Sequence, residues 1–305
     1  MRIVLIGQAA FGEKVLQAIF EIGEQVVGVF CPPDSPERPS ALKQLAQASG
    51  IPVFQPPKMR EDTVFEQYTH LRPELTVMAF VTNIIPERFL TYPVLGTIQY
   101  HPSLLPRHRG GSAINWTVIN GESQTGITIF WPDKGIDTGP ILLQKTIDID
   151  PDETTGSLYF NKLFPLGVEA IVEAVQLVSQ GKAPRIEQDE SLATYEPLCT
   201  AELAQINWRQ PVDQVYNLIR GCNPQPGAET GFRGSNIKIF DCQKEELLQE
   251  TIPGNIWWVG EDHFSVGAQG GSIRVKRLQP KGEGKIKAAE FITAYKLHAG
   301  EKFEF

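Results

Sequence analysis

Ile3 to Ile6 is an unbroken apolar run, the pattern of a parallel strand buried on both faces. Gly7-Gln8-Ala9-Ala10-Phe11-Gly12 then turns into a helix that gathers Val15, Leu16 and Ile19 on one face. A second strand is predicted over 24–30 and a third near Val53-Phe54, with a helix over 41–48 between them. A helix over 62–71 leads to a strand over 75–80, and a short apolar strand over 96–100 follows. Strands alternating with helices predict an α/β fold: a doubly wound, Rossmann-like, mostly parallel sheet. Beyond it, a helix is expected at 113–120 and strands at 125–131 and 141–145. One long helix is expected from about 152 to 181.

From Lys182 to Thr200 the periodicity is lost, and the segment reads as a linker or an extended crossing stretch. After a helix at 212–220 come short β-like runs at 237–240, 255–259, 263–266 and 272–276. Glycine-rich turns separate them, as expected for a small antiparallel barrel. The division is therefore drawn at 1–200 and 201–305.

Composition narrows the function. The chain has 305 residues, 41% hydrophobic and 21% charged, the make-up of ordinary globular material. Its net charge of -8 argues against a main task of gripping a polyanion, which requires phosphate neutralisation. The four cysteines have no Cys-x-x-Cys spacing, so neither a zinc site nor a disulfide framework is expected. No charged start precedes a long apolar run and no stretch is long enough to span a bilayer, so the expected setting is cytoplasmic, away from the membrane. The Gly-x-Gly-x-x-Gly fingerprint fails at Ala9, so no nicotinamide cofactor is assigned.

The chemistry-bearing stretch follows the strand at 96–100: Tyr100-His101-Pro102-Ser103-Leu104-Leu105-Pro106-Arg107-His108-Arg109-Gly110-Gly111, with Ile136-Asp137-Thr138-Gly139 downstream. A histidine at a strand end, where open sheets bind ligands, and an Asp in a small-residue turn make a candidate acid–base pair. Taken alone, Asp137 is an ordinary turn residue and His101 an ordinary structural histidine. The two motifs together outweigh those readings. Ser103 has no evident activating base, so no acyl-serine route is drawn.

His-Pro-Ser-Leu-Leu-Pro-x-x-Arg-Gly followed by Gly-Ile-Asp-Thr-Gly resembles the folate-dependent formyltransferase family, and the resemblance extends to Ile206-Asn207-Trp208 and Ile219-Arg220-Gly221. Within that family, 101–116 is similar to the N-terminal hydrolase module of 10-formyltetrahydrofolate dehydrogenases. The resemblance implies a formyltransferase fold with a smaller C-terminal OB-like domain. It also implies 10-formyltetrahydrofolate as formyl donor, with no metal. His101 and Asp137 would be catalytic. The segment Ala79, Phe80, Val81, Thr82 and Ile85 would line the pterin pocket. Read without the family, it is an apolar loop capping the core.

Ser103, Leu104 and Arg107 are carried over as substrate-binding, Arg107 toward the folate's carboxylates. Arg109 is read instead as pinning the loop through backbone carbonyls. Family members acting on amines carry Asn where this chain has Gln99. Gln99 either restores that amide's role or bonds a neighbouring strand.

The acceptor stays open between water, a carrier thiol on a partner protein, an amine, and initiator tRNA as in methionyl-tRNA formyltransferases. Those enzymes carry a basic insertion where this chain has a short, neutral proline-rich loop at 32–39. Arg274, Lys276, Arg277, Lys281, Lys285 and Lys287 read as a solvated face, with a polyanion stripe as the alternative. A catalytically weak folate-binding protein is the reading from another class.

Overall fold

The structure is a computed structural model that describes residues 1–34, 40–246 and 251–304. The charged part of the proline-rich loop, residues 35–39, lies outside them. The chain divides into two compact units. One comprises Met1–Gly111, Gly126–Ile147 and Asn161–Tyr195, the other Ser112–Thr125, Asp148–Phe160 and Glu196–Phe305. Residues 112–125, 148–160 and 196–200, all placed in the first domain by the sequence reading, thus group with the C-terminal ones.

Among the described residues, the first unit is built on a seven-stranded sheet: β1 (Arg2–Gly7), β2 (Gln25–Phe30), β3 (Val53–Phe54), β4 (Leu75–Ala79), β5 (Thr97–His101), β6 (Gln124–Phe130) and β7 (Ile141–Asp148). The order is β3-β2-β1-β4-β5-β6-β7. Strands β1 to β5 pair in parallel, and β6 runs antiparallel to β5. Ile3, Val4 and Leu5 are fully buried, as their unbroken apolar run requires of a strand covered on both faces. Helices α1 (Ala9–Glu21), α2 (Ala41–Ala48) and α3 (Asp62–His70) fall where the periodicity put them, and a short α4 (Glu87–Thr91) adds to them. The β1–α1 turn is tight: a Cβ on Gly7 would stand 2.9 Å from Ala79 O.

The long helix expected from 152 to 181 is broken. An α-turn at Thr155–Leu158 passes through a π-turn at Tyr159–Leu163 before the helix Phe164–Ser179 begins. Pro165 supplies the reason: it has no N–H to donate and its ring crowds the preceding turn, so the ladder re-registers there. The later helix packs closely, with a Cβ on Gly167 reaching 2.5 Å from the Tyr100 ring.

Among its described residues, the second unit holds two antiparallel sheets. One joins β8 (Ala228–Phe232), β9 (Ser235–Ile239), β14 (Arg277–Pro280), β15 (Ile286–Lys287) and β16 (Phe303–Glu304). The other joins β10 (Cys242–Glu246), β11 (Ile256–Val259), β12 (Phe264–Ala268) and β13 (Gly271–Val275). Trp208, Phe232, Phe264, Phe291 and Phe303 fill its core. This arrangement is compatible with the expected OB-like barrel. Of the basic residues read as a solvated face, Lys276, Arg277, Lys281, Lys285 and Lys287 are exposed, while Arg274 is half-buried and pairs with Glu245.

Candidate active site

His101 is the last residue of β5 rather than the first beyond it. Alternation along the strand sends Tyr100 to one face, where its ring lies 4.5 Å from that of Phe11, and places Gln99 and His101 together on the other. His101 is 4% exposed. Its Nε2 lies 2.8 Å from His108 O. A carbonyl can only accept, so Nε2 carries the hydrogen of that bond. Nδ1 faces Asp137 Oδ2 at 3.5 Å. That distance exceeds an ordinary hydrogen bond and leaves both groups able to reach one atom placed to the side of the pair. Asp137 Oδ2 also accepts from Gly110 N at 2.8 Å, which ties the two sequence motifs together directly.

The loop after β5 is held from beneath. Ser103 Oγ donates to Arg107 O at 2.6 Å, so the hydroxyl shapes the loop from within. Thr128 Oγ1 donates to Ser103 O and accepts from Leu105 N. Gln144 Nε2 reaches both Leu105 O and Thr128 Oγ1. Leu104 is half-buried against Gly126, whose missing Cβ makes room for it. The Arg107 side chain is exposed.

The second predicted stretch forms a crevice at the ends of β1, β2 and β4. Phe80, Val81, Thr82 and Ile85 line it together with Gln8, Phe30 and Met59. Ala79 is fully buried beneath Gly7. The crevice sits between β1 and β4, where the strand order reverses its direction of growth, the usual ligand position in open α/β sheets. Since β4 neighbours β5 at a spacing of about 4.8 Å, His101 stands roughly one strand away from the crevice.

Backbone strain concentrates in the same place. Among the described residues seven non-glycine positions have positive φ, and Ala9 (55°), Phe80 (60°), His108 (56°) and Asp137 (55°) are four of them. All four lie in the turns that frame the crevice or the His101 loop. Left-handed backbone costs an L-residue roughly 1–2 kcal/mol, and such strain gathers at functional sites.

Of residues 182–200, read as a linker or an extended crossing segment, the part from 186 to 195 is the latter: it crosses the first unit and is fastened to its sheet and to the His101 loop. Ile186 and Ile141 exchange backbone hydrogen bonds of 2.7 and 2.9 Å. Thr194 accepts from His108 N through Oγ1 at 2.8 Å and from Arg109 N through its carbonyl at 3.0 Å. Arg109 does pin the loop, but its guanidinium bonds side chains rather than backbone carbonyls. It is 1% exposed. It donates to Glu190 at 2.6 and 2.9 Å, to Gln188 Oε1 at 2.7 and 3.2 Å, and to the Tyr195 hydroxyl. The bonds to Glu190 push the guanidinium pKa up against the opposing effect of burial, and hold the Glu190 carboxyl below its usual value.

Gln188 Nε2 in turn donates to Asp137 O at 2.9 Å and Gly139 O at 2.7 Å. Periodicity carries no signal for Gln188, Glu190, Thr194 or Tyr195, because each makes its contact singly, and only Glu190 belongs to a regular element, a single 3-10 turn at Glu190–Leu192. Among the described residues no group of three or more His, Cys, Asp or Glu side chains is placed to hold a metal ion.

Residues 1–175 match the formyl transferase family, and residues 199–296 match the formyl transferase C-terminal domain. Human mitochondrial 10-formyltetrahydrofolate dehydrogenase is 44% identical over 258 residues, covering 83% of this chain and 28% of that protein. The chain spans between 27% and 34% of the length of the dehydrogenases it matches. Methionyl-tRNA formyltransferase of Geotalea uraniireducens is 37% identical over 306 residues, covering 98% of this chain and 97% of that one. Among solved structures, an N-formyltransferase from Helicobacter canadensis in complex with folinic acid and dTDP-3-aminofucose superposes with a TM-score of 0.73. Its identity is 19%, over 92% of this chain and 99% of that one. HypX from Aquifex aeolicus in complex with tetrahydrofolic acid gives a TM-score of 0.71 and 18% identity, over 99% of this chain and 48% of that one. At those identities the structural likeness speaks to the fold.

Proposed function

Because the chain belongs to the formyl transferase family, we propose that it takes the formyl group of 10-formyltetrahydrofolate and passes it to a nucleophile at His101 and Asp137. The observation that carries this reading is the 3.5 Å gap between His101 Nδ1 and Asp137 Oδ2, one strand from an apolar crevice. The pterin occupies the crevice formed by Phe80, Val81, Thr82 and Ile85, and N10 with its formyl group reaches the gap. The nucleophile attacks the formyl carbon and its proton passes to Asp137. With Nε2–H committed to His108 O, a second proton, on Nδ1, makes the imidazolium. That N–H stabilises the tetrahedral oxyanion, a role worth roughly 2.7–4 kcal/mol for one donor. As the intermediate collapses, the C–N10 bond breaks, the same proton goes to N10, and Asp137 returns its proton to His101. Gln99, on the same strand face as His101, supplies an amide near the oxyanion.

The acceptor we favour is water or a carrier, as in the dehydrogenase's N-terminal module. The second reading, formylation of the amine of initiator methionyl-tRNA, is supported by the near end-to-end match with a methionyl-tRNA formyltransferase. The net charge of -8 weighs against it. Incubation with 10-formyltetrahydrofolate, alone and with charged initiator tRNA, separates the readings. Tetrahydrofolate formed without tRNA supports the first, formyl found only on the aminoacyl-tRNA the second. Tight folate binding without turnover under either condition points to a carrier or another amine as acceptor, or to a binding protein.

A further inference from the structure

Resting on that reading, we propose that Gln188 is a positioning residue of the reaction: its amide closes a ring of contacts, hydrogen-bonded except where His101 approaches Asp137 at 3.5 Å, that fixes the two relative to each other. Asp137 Oδ2 faces His101 Nδ1, and His101 Nε2 donates to His108 O. The next residue, Arg109, donates through Nε and Nη2 to Gln188 Oε1. Gln188 Nε2 returns to Asp137 O and adds Gly139 O. Each catalytic group is therefore gripped on two sides, and both grips meet in one side chain.

The chemistry of the ring calls for a carboxamide. An amide offers two N–H donors and two acceptor lone pairs, and Gln188 uses all four. A carboxylate of the same length keeps Arg109 as donor but has nothing to offer the carbonyls of Asp137 and Gly139. A thioether of the same length loses both sides. The site also has a strain to oppose. Asp137 sits at φ 55°, and a non-glycine residue holds that conformation only when its surroundings over-determine it. Gln188 grips the carbonyl of that strained residue, and it is buried, so water does not substitute for it. Asp133, at the other end of the turn, holds Gly135 N and Thr138 Oγ1 and leaves the Asp137 carbonyl to Gln188.

The test compares Gln188→Met and Gln188→Glu with the parent in steady-state consumption of 10-formyltetrahydrofolate, alongside the 15N shifts of the His101 ring. Glu187→Gln, at the exposed neighbouring position, is the control. A misplacement near 1 Å is worth about 10²-fold in rate, so kcat is expected to fall by about that factor in both variants. KM for the folate is expected to stay within about twofold, since Gln188 is absent from the crevice lining. Gln188→Glu, which retains the Arg109 contact, keeps the comparison open if Gln188→Met fails to fold. Variants with kcat within threefold of the parent, or with KM and kcat worsening together, overturn the proposal. A parent without turnover defeats water as the acceptor in the proposed function instead. The His101 ring shifts then still decide the role of Gln188: shifts moved by the substitutions uphold it, and shifts unmoved refute it.

Discussion

At Asp137 the backbone and the side chain make opposite demands. The left-handed φ of 55° favours glycine, while the proposed reaction uses the carboxylate that faces His101 and Gly110 N. The two demands separate by substitution. Asp137→Gly and Asp137→Ala both remove the carboxylate, and each is expected to slow formyl release by about 10²–10⁴-fold, as is His101→Ala. Only the alanine keeps the backbone strain, so Asp137→Ala is expected to be less stable than Asp137→Gly by about 1 kcal/mol in denaturant titration. Folate affinity should change little in all three, because none of these residues lines the crevice. The pairing of His101 with Asp137 was legible in sequence because the family wording survives around both. Gln188 was not legible, because its importance lies in four bonds to residues roughly 50 and 80 positions away.

The same contrast holds for elements. Strand β1 was readable because burial on both faces leaves an unbroken apolar run, and α1 because its buried face repeats at helical spacing. Strands β15 and β16, two residues each, are too short to carry a period of their own. The helix Phe164–Ser179 gives a test in which two effects oppose. Gly167→Ala raises helix propensity by about 1 kcal/mol. Its Cβ, however, would meet the Tyr100 ring at 2.5 Å and the Phe11 ring at 3.1 Å. Overpacking of that kind typically costs about 1–3 kcal/mol, so the substitution is expected to destabilise on balance, read from the unfolding midpoint.

The segment 182–195 gives a pH test. Arg109 holds the Glu190 carboxyl below its ordinary value of 4.5. A depressed carboxyl contributes stability that is fully present above the unfolded value and disappears as pH falls through the folded one. The stability advantage of the parent over Glu190→Gln should therefore be full at neutral pH and shrink as pH drops below 4.5.

Two properties of the whole molecule bear on the acceptor. The net charge of -8 gives no general field to draw in a polyanion, and any tRNA contact must be made locally. Among the described residues, no helix is long and apolar enough to cross a membrane. The alternation of strands and helices made the α/β class legible at this scale. The interleaving of the two units was not, because it depends on where the segments at 112–125 and 148–160 find their contacts.

The central claim is that the His101–Asp137 gap releases the formyl group of 10-formyltetrahydrofolate. The most direct measurement is single-turnover formation of tetrahydrofolate by the parent, His101→Ala and Asp137→Ala, each with folate binding measured in parallel. The account expects release by the parent and a loss of about 10²-fold or more in each variant with binding retained. Variants that release formyl at the parent rate while binding folate equally well would contradict it.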